Sequence, residues 1–306
     1  MNLAVIILNW NQAAVTIRCV EAVAAWTHVA PDIWVVDNAS RDGSRDLIPK
    51  QCPMAHFLAS EINLGFAGGN NLALRRIMSS RADVVLLLNN DAVIAEDQVQ
   101  HLLAELETHP NLGLVGPLLD EWRGSEQVLT AGGRDIGRHL RTRHECPAPD
   151  LPALIAMHRL RDVDYVPGTV ALVRAEVFRT VGLFDEDYFF SGEMADFCRR
   201  AGAQNYASAV CTRACATHEP GGGARSTLYR YYTLRNRFLY IRKFHSARSG
   251  IYPSRHALYA CLWSAVGLAM VARSLIQGRP AEARAAWRAL RDGLAGRFGN
   301  RNELFM

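Results

Sequence analysis

The N-terminal part of the chain alternates short apolar runs with polar segments. Three runs are almost free of polar side chains: Leu3–Leu8, Ile33–Val36 and Val84–Leu88. Such runs, rich in β-branched residues, are typical of strands that are buried on both faces. Helical patterns follow them, which indicates consecutive βα units. The pattern therefore predicts an α/β fold with a mostly parallel sheet flanked by helices.

Each of the three predicted strands ends in polar residues. Because the carboxyl ends of parallel strands meet at one edge, where open α/β sheets bind ligands, we expect these side chains to lie close together. Asp91 is placed to hold a divalent cation against a diphosphate, and Asp37 to accept the N3–H of a uracil or thymine ring. Helix capping by Asp91 or Asn90 and turn formation at Asp37 remain open alternatives. The polar residues at these strand ends are Asn9, Asn11, Asp37, Asn38, Asn89, Asn90 and Asp91.

A segment rich in glycine and asparagine, NLGFAGGNN, occupies positions 63–71. It is neither a Walker loop nor a GxGxxG dinucleotide motif. One interpretation is a loop followed by the start of a helix, where Asn63, Gly65, Gly68 and Asn70 bind a nucleotide. Small residues at such a place let the backbone approach the nucleotide closely. The other, equally weighted, is a tight turn followed by helix packing.

Taken in order, these motifs resemble the inverting family 2 glycosyltransferases, in particular their bacterial rhamnosyltransferase-like branch. The resemblance covers about residues 1 to 245 and implies a GT-A-type, Rossmann-like domain that binds a nucleotide sugar and a divalent metal, Mg²⁺ or Mn²⁺. It implies inverting transfer to an acceptor hydroxyl, with dTDP-rhamnose favoured as donor and UDP-hexoses next. The motifs are VIILNWN, VVDNASRDGS, NLGFAGGNNLAL, LLLNND, VPGTVALVRAEVFRTVGLFDEDYFFSGE and a later isolated His218.

The resemblance also locates a catalytic base, at a point where this chain departs from the family. The family has Gly-Glu-Asp-x-Asp before a helix, and here Met194 replaces the Asp of the Glu-Asp pair. A thioether cannot accept a proton at neutral pH, so we favour Glu193 as base, with Asp196 as the alternative or as an orienting group. We expect Phe189 and Phe190 to lower the local polarity and raise the pKa of Glu193. Two other readings stay open: acidic residues that merely stabilise a helix N-terminus, and a weakly active protein.

One further site residue is assigned through the resemblance, and the others follow from residue type and position. His218 stands where the family has a metal-ligating histidine, so Asp91 and His218 are the expected metal ligands. Arg225 or Arg235 is expected to close onto the diphosphate with a lid that the glycines at 221–223 permit. We expect Asp185 to shape the acceptor side.

Charge is distributed unevenly along the chain. From residue 225 to 306 there are 15 Lys and Arg against 3 Asp and Glu, and the other 224 residues carry 19 against 27, so the net charges are +12 and −8. We therefore divide the chain into a catalytic domain, residues 1–224, and a basic helical extension, residues 225–306. The extension has no nucleic-acid-binding motif, which leaves an anionic membrane surface or a phosphate-bearing acceptor as the expected partner.

Two helices are predicted in the extension. Residues 258–272 are apolar except for Ser264, but 15 residues are fewer than the roughly 20 that span a bilayer. This helix should be buried, lie in the membrane interface or form a homodimer. Residues 280–297 predict an amphipathic helix after a break at Gly278.

Localisation and acceptor follow from the same features. The N-terminus reads as a strand and not as a signal peptide, and seven scattered cysteines indicate reduced thiols. We therefore expect a cytoplasmic protein, peripheral at the inner face of the cytoplasmic membrane, with a lipid-linked or polysaccharide acceptor. A non-catalytic subunit that binds a sugar nucleotide or polysaccharide is the alternative function.

Overall fold

The computed structural model describes residues 1–123, 126–140, 143–147, 160–218, 226–246 and 255–305. Arg225, the glycines at 221–223 and the proposed boundary after residue 224 lie outside them. The N-terminal part consists of βα units, as predicted, because each apolar run forms a strand and the pattern after it a helix. These elements are β1 (Leu3–Asn9), α1 (Ala13–Ala24), β2 (Asp32–Asn38), α2 (Ser44–Gln51), β3 (His56–Ser60), α3 (Gly65–Ile77) and β4 (Val84–Asn89).

The second part of the sheet contains longer and mixed strands. Its strands are β5 (Ala92–Val93), β6 (Leu112–Arg123), β7 (Glu126–Gly133), β8 (Arg143–Pro147), β9 (Leu160–Asp162), β10 (Val170–Arg174) and β11 (Ala207–His218). The helices between them are α4 (Glu96–Thr108), α5 (Ala175–Val181) and α6 (Glu193–Gly202), and a 3-10 turn forms at Glu186–Tyr188.

The main path of the sheet has the strand order β3-β2-β1-β4-β10-β6-β11-β5. Strands β3, β2, β1 and β4 pair in parallel, and β6 pairs in parallel with β11. Strand β10 runs antiparallel between β4 and β6. The predicted mostly parallel sheet is therefore confirmed, with one antiparallel strand at its centre.

The sheet is covered on both faces, as the uninterrupted apolar runs predict. In β1, Val5 and Ile7 belong to one apolar layer, whereas Ala4 and Ile6 belong to the layer on the opposite face. Successive side chains of a strand point to opposite faces, so a strand buried on both sides needs apolar residues at every position. The polar strand ends then have to lie at the edge of this core.

Three helices form the C-terminal extension: α7 (Ser226–Phe244), α8 (Arg255–Ile276) and α9 (Pro280–Leu294). The prediction for α8 was too short, because the helix continues beyond the apolar run at both ends and has 22 residues. Among the described residues, α8 is the helix that is long and apolar enough to cross a membrane, judged by length and composition alone. The break at Gly278, with φ of 67°, is confirmed.

The extension packs through small residues. An added Cβ at Gly267 of α8 would lie 2.4 Å from a methyl carbon of Leu290, and one at Gly293 of α9 would lie 2.5 Å from the ring of Phe238. These glycines let α8 approach α9, and α9 approach α7, closely. The three helices therefore share one apolar cluster.

Candidate functional site

The polar ends of β1, β2 and β4 are joined by hydrogen bonds. Asn9 Nδ2 donates to Asp37 Oδ1 at 2.7 Å, and Thr16 Oγ1 donates to Asn9 Oδ1 at 2.7 Å. Asn90 Nδ2 donates to the same Thr16 hydroxyl at 2.9 Å. The structure thus brings three predicted strand ends together, and Thr16 of α1 is the link between them.

Asp37 is fully buried within this network. Its Oδ2 accepts from the Ser40 backbone N–H at 3.1 Å and lies 3.5 Å from Arg45 Nε. The bond from Ser40 is the turn contact that the sequence left open as the alternative for Asp37. Recognition of a uracil or thymine ring by Asp37 stays a prediction, and it requires the ring to gain access to a carboxylate that is enclosed here.

The neighbouring asparagines shape the loops at this edge. Asn38 Nδ2 donates to Asn63 Oδ1 at 3.1 Å and to the Gly65 carbonyl at 3.0 Å, so it joins β2 to the start of α3. Asn11 has a positive φ of 55° and its side-chain oxygen accepts from the Arg41 N–H. These contacts hold the edge rigid, and any contact of the same asparagines with a donor stays a prediction.

Pairing of β5 with β11 places Asp91 beside His218. His218 is the register partner of Ala92, the residue after Asp91. The His218 Nε2 atom lies 3.3 Å from Asp91 Oδ1, and its Nδ1 atom lies 3.3 Å from Glu121 Oε1. Hydrogen bonds to the two carboxylates, that of Asp91 first, raise the pKa of His218 to about 9.

The pair of Asp91 and His218 fits two ligands of one divalent cation. A carboxylate oxygen and an imidazole nitrogen at 3.3 Å from each other have the spacing of neighbouring positions around such an ion. Within the described ranges, no group of three His, Cys, Asp or Glu side chains is arranged to hold a metal ion. A cation at this edge would therefore need further oxygen ligands, which the diphosphate of a donor carries.

Two residues behind the histidine, Glu121 and Thr130, were not predicted from the sequence. Glu121 of β6 is buried, and Thr130 Oγ1 of β7 donates to its Oε2 at 2.9 Å. A carboxylate within a strand that the apolar pattern buries is the signal that could have drawn attention to Glu121.

Glu193, the favoured base, is the first residue of α6. Its side chain is only 6% exposed, and its Oε2 has no hydrogen-bond partner among the described residues. Burial, which disfavours the charged form, raises the pKa of Glu193 to about 7, and the nearby charge of Asp196 contributes in the same direction. The direction of this shift is the one expected from the sequence, with burial as its main cause.

Asp196, the alternative base, is fully buried and paired. Its Oδ1 accepts from Arg200 Nε at 2.6 Å, and its Oδ2 accepts from Lys243 Nζ of α7. The same ammonium group also donates to Asp185 Oδ2 at 2.7 Å. Asp185 and Asp196 therefore connect the α6 region to Lys243 of α7. Because Asp196 is paired in this way and Glu193 is not, the arrangement favours Glu193 as the group that takes a proton.

Met194, the next residue of α6, is also buried. An added Cβ at Gly168 would lie 3.0 Å from Met194 Cγ and 2.7 Å from the ring of Phe66. The next residue, Thr169, accepts a hydrogen bond through its carbonyl from the Asn89 N–H at 2.9 Å. The loop around Gly168 thus connects the start of α6 with the carboxyl end of β4.

The glycine-rich segment forms the start of α3. Gly65 has φ of +69°, and a Cβ there would lie 2.2 Å from the Phe189 carbonyl oxygen. A Cβ at Gly69 would lie 2.5 Å from Leu8 of β1. Asn70 is buried and donates to a carbonyl of the same helix. These contacts favour the helix-packing interpretation, and donor binding by Asn63, Gly65, Gly68 and Asn70 stays a prediction.

Arg235 of α7 lies beneath the segment that precedes α6. Its fully buried guanidinium donates to the carbonyls of Asp187 at 2.9 Å, Tyr188 at 3.0 Å and Gly299 at 2.6 Å. Asn236 donates to the Tyr188 carbonyl at 2.9 Å. In this arrangement Arg235 holds the backbone in front of Glu193, and the predicted contact with a diphosphate would require these bonds to break.

Comparison with known proteins adds an independent line of inference. Residues 4–182 match a model described as "Glycosyl transferase family 2". A low-salt glycan biosynthesis hexosyltransferase of Haloferax volcanii is 28% identical over 219 residues, which cover 67% of this chain and 65% of the relative. An N-acetylglucosaminyl-diphospho-decaprenol L-rhamnosyltransferase of Mycobacterium tuberculosis is 25% identical over 201 residues, covering 61% of this chain and 66% of the relative. The chain thus matches slightly less than two thirds of the length of both relatives.

Two solved structures support the fold. A mannosyltransferase from Pyrobaculum calidifontis, in complex with GDP-Man and Mn²⁺, has a TM-score of 0.58 at 15% identity, and the match covers 96% of this chain and 87% of that one. GalNAc-T7 with UDP, GalNAc and Mn²⁺ has a TM-score of 0.61 at 16% identity, covering 79% of this chain and 48% of that one. The expected GT-A-type fold is confirmed.

Proposed function

Because the chain belongs to glycosyl transferase family 2, we propose that it transfers a sugar from a nucleoside-diphosphate donor to an acceptor hydroxyl, with inversion and with a divalent metal. The observation that carries this proposal is the juxtaposition of the Asp91–His218 pair with the network of strand ends. Open α/β sheets bind their ligands at this edge. The loop around Gly168, whose Thr169 carbonyl bonds to the end of β4, also packs against Met194, the residue after the proposed base Glu193.

Asp91 and His218 would hold Mg²⁺ or Mn²⁺. A cation there would neutralise the charge that develops on the leaving diphosphate. Glu121, held by Thr130, fixes the ring of His218 so that Nε2 faces Asp91. A carboxylate behind a ligating histidine is the usual way in which proteins set the ring orientation and tautomer at a metal.

Glu193 would take the proton from the acceptor hydroxyl. As the hydroxyl oxygen bonds to the anomeric carbon, the bond from that carbon to the diphosphate oxygen breaks, and the proton passes to Oε2. A pKa of about 7 suits this role at neutral pH, because the carboxylate is then both partly ionised and a better base than an exposed one. Oε2 has no hydrogen-bond partner among the described residues, but it is buried, so the side chains around it would have to move before the hydroxyl could reach it.

The donor and acceptor are proposed from family likeness. The relatives are named as hexosyl-, rhamnosyl- and galactofuranosyltransferases, which supports dTDP-rhamnose first and UDP-hexoses next. The rhamnosyltransferase relative is named for a lipid-linked sugar diphosphate, which supports a lipid-linked acceptor over a free polysaccharide.

Helix α8 supports a place at a membrane surface. Its exposed side carries apolar residues at helical spacing, Leu258, Leu268, Leu275 and Ile276, over about 18 positions. The opposite side is buried along the same length at Trp263, Gly267 and Ser274. A helix that keeps one side packed against the protein lies along a membrane more readily than it crosses one. With the charge of +12 on the extension, the anionic inner face of the cytoplasmic membrane is the proposed location.

The membrane proposal is tested by flotation with phosphatidylglycerol vesicles. We expect the triple variant Leu258→Ser, Leu268→Ser, Leu275→Ser to lose vesicle binding. The matched control is Leu47→Ser, Met54→Ser, Ile62→Ser, three exposed apolar residues of the catalytic domain. Equal vesicle binding of both variants and the parent would contradict the proposal, and a loss of dimers in the α8 variant alone would assign this face to a homodimer.

A non-catalytic subunit that binds a sugar nucleotide is the second candidate function. It is favoured by two observations: Met194 stands where the family has a carboxylate, and Glu193 is nearly enclosed. Such a subunit would bind the donor without consuming it. Turnover of a nucleotide sugar by the purified protein therefore distinguishes the two functions.

The donor proposal is tested by thermal shift with a panel of nucleotide sugars, each with and without Mn²⁺. We expect a thymidine or uridine donor to raise the melting temperature, and Mn²⁺ to increase that rise, because a ligand that binds only the folded state stabilises it. The absence of stabilisation by any nucleotide sugar would contradict both candidate functions.

A further inference from the structure

A basic pocket lies where α6, α7 and α8 meet. It is lined by Arg199 of α6, His245 just after α7, Arg255 and Tyr259 of α8, and Arg138 in the turn that follows β7. The rings of His245 and Tyr259 pack against each other, with centroids 4.9 Å apart. None of these lining residues belongs to the donor edge, by which we mean the network of polar strand ends together with the Asp91–His218 pair.

Only part of the positive charge in this pocket is neutralised. The buried Asp135 accepts from Arg199 Nη1 at 3.0 Å and lies 3.2 Å from His245 Nε2. Burial lowers the pKa of His245 and so disfavours its charged form. Arg138 and Arg255 are exposed and form no ion pair with any residue that the structure describes. Two guanidinium groups are therefore available to an anion.

The pocket shares helix α6 with the proposed base and helix α8 with the exposed apolar side. Arg199 follows Glu193 by six residues on α6, which corresponds to about 9 Å along the helix axis. The turn that carries Arg138 reaches the start of the same helix, since a Cβ at Gly192 would lie 3.3 Å from Ile136 Cδ1. On the other side, Arg255 is one turn of α8 from the exposed Leu258.

We propose that this pocket binds the diphosphate of a lipid-linked acceptor sugar. The acceptor hydroxyl then lies at Glu193, the diphosphate between Arg138 and Arg255, and the lipid chain along the exposed side of α8. Guanidinium groups match phosphate oxygens in charge and in hydrogen-bond geometry. The acceptor sugar would have to bridge the distance of about 9 Å along α6 between the proposed base and the pocket. This inference rests on the proposed function. It gives the C-terminal extension a role in acceptor binding in addition to its attraction to a membrane.

The test measures binding of farnesyl diphosphate, a short prenyl diphosphate, by calorimetry in EDTA, so that no metal draws the diphosphate to Asp91 and His218. The pocket variant is Arg138→Gln, Arg255→Gln. The control, Arg273→Gln, Arg284→Gln, removes the same charge from exposed positions of α8 and α9 outside the pocket. We expect binding to weaken about tenfold or more in the pocket variant and less than about twofold in the control.

Three results would overturn the proposal: no binding by the parent, equal weakening in both variants, or unchanged binding in the pocket variant. Inorganic pyrophosphate and phosphatidylglycerol vesicles are the parallel probes. Pyrophosphate that binds as tightly as farnesyl diphosphate would assign the pocket to a free anion, and a pocket-specific loss of vesicle binding alone would assign it to a phospholipid; either result contradicts the proposal.

A failure of this inference is separable from a failure of the proposed function. Stabilisation by UDP and Mn²⁺ is measured on the same three proteins, and it should be equal in all of them because both arginine pairs lie away from the donor edge. If the donor binds but the arginine substitutions do not weaken the binding of farnesyl diphosphate, the proposed pocket is rejected and the proposed function is kept. Arginine-dependent binding of farnesyl diphosphate without donor binding rejects the proposed function alone.

Discussion

The proposed metal edge, formed by Asp91 and His218, and the proposed base segment are built in different ways. At the proposed metal edge, the pairing of β5 with β11 brings Asp91 and His218 together, and Glu121 contacts the other side of the His218 ring. The base segment, residues 186–193, takes its shape from the side chains of distant residues: Arg235 and Asn236 bind its carbonyls, and Gly65 leaves room for it. The comparison teaches that the C-terminal extension is part of the scaffold of the proposed site.

The largest expected effect is at the metal edge. Asp91→Ala should abolish the Mn²⁺-dependent part of the stabilisation by UDP, because it removes the carboxylate ligand while the strand pairing that builds the edge is kept. Thermal shift with UDP, with and without Mn²⁺, measures this. Glu107→Ala, an exposed position on α4, is the control. A folded Asp91→Ala protein with undiminished metal-dependent stabilisation would show that the edge does not hold the metal.

A smaller effect is expected at Glu121, which contacts the proposed ligand His218 and would not bind the metal itself. Glu121→Gln should weaken Mn²⁺ binding by about 10- to 100-fold, since the amide no longer fixes the ring of His218 as a carboxylate does. Titration of Mn²⁺ by electron paramagnetic resonance in the presence of UDP gives the affinity directly. Glu105→Gln, on α4, provides the matched change elsewhere. An unaltered Mn²⁺ affinity would reduce Glu121 to a structural residue.

The smallest expected effect concerns stability at the base segment. Glu193 has a folded-state pKa of about 7, above the 4.5 that is usual for a glutamate, so between these pH values the folded protein binds more protons than the unfolded chain. Stability should therefore fall as pH rises from about 4.5 to 7, by an amount on the order of 2 kcal/mol. Glu193→Gln cannot ionise and should lack this loss. Urea unfolding at about pH 5 and pH 8 tests it, and an equal pH dependence of both proteins would contradict the burial of an ionisable Glu193.

The difference between the two regions also explains which parts of the fold and of the proposed site could be predicted from the sequence. Apolar runs that end in Asn9, Asp37 and Asp91 report strands and their shared edge, because strand burial and parallel pairing follow from local pattern. The sheet and the nearness of these residues were therefore predictable. The resemblance supplied His218 and Glu193, which no local pattern indicates.

The features of the site that could not be predicted depend on contacts between residues that are distant in the sequence. Nothing local shows that Asp196 pairs with Lys243, or that Arg235 turns to backbone carbonyls and not toward a ligand. The 15-residue apolar run also underestimated α8, because helix ends are set by packing and capping as well as by hydrophobicity. Burial of Asp37 and Glu121 is likewise a property of the assembled sheet.

The central claim is that Glu193 is the base in a chain that carries Met194 at the family's usual position. Glu193→Gln keeps the shape of the side chain but removes its basicity, so the turnover number should fall by about 10²-fold or more while donor affinity is nearly unchanged. Asp196→Asn should reduce turnover less, because that residue is paired with Arg200 and Lys243.

The decisive measurement is the turnover number of the parent, Glu193→Gln and Asp196→Asn with the donor that the thermal-shift screen identifies, together with the pH profile of the parent. We predict a parent rate that rises with pH through about 7, the pKa of Glu193, and a near-inactive Glu193→Gln protein. An active Glu193→Gln protein beside an inactive Asp196→Asn protein would contradict the account. So would activity that appears only after Met194→Asp, since the parent would then be a degenerate enzyme.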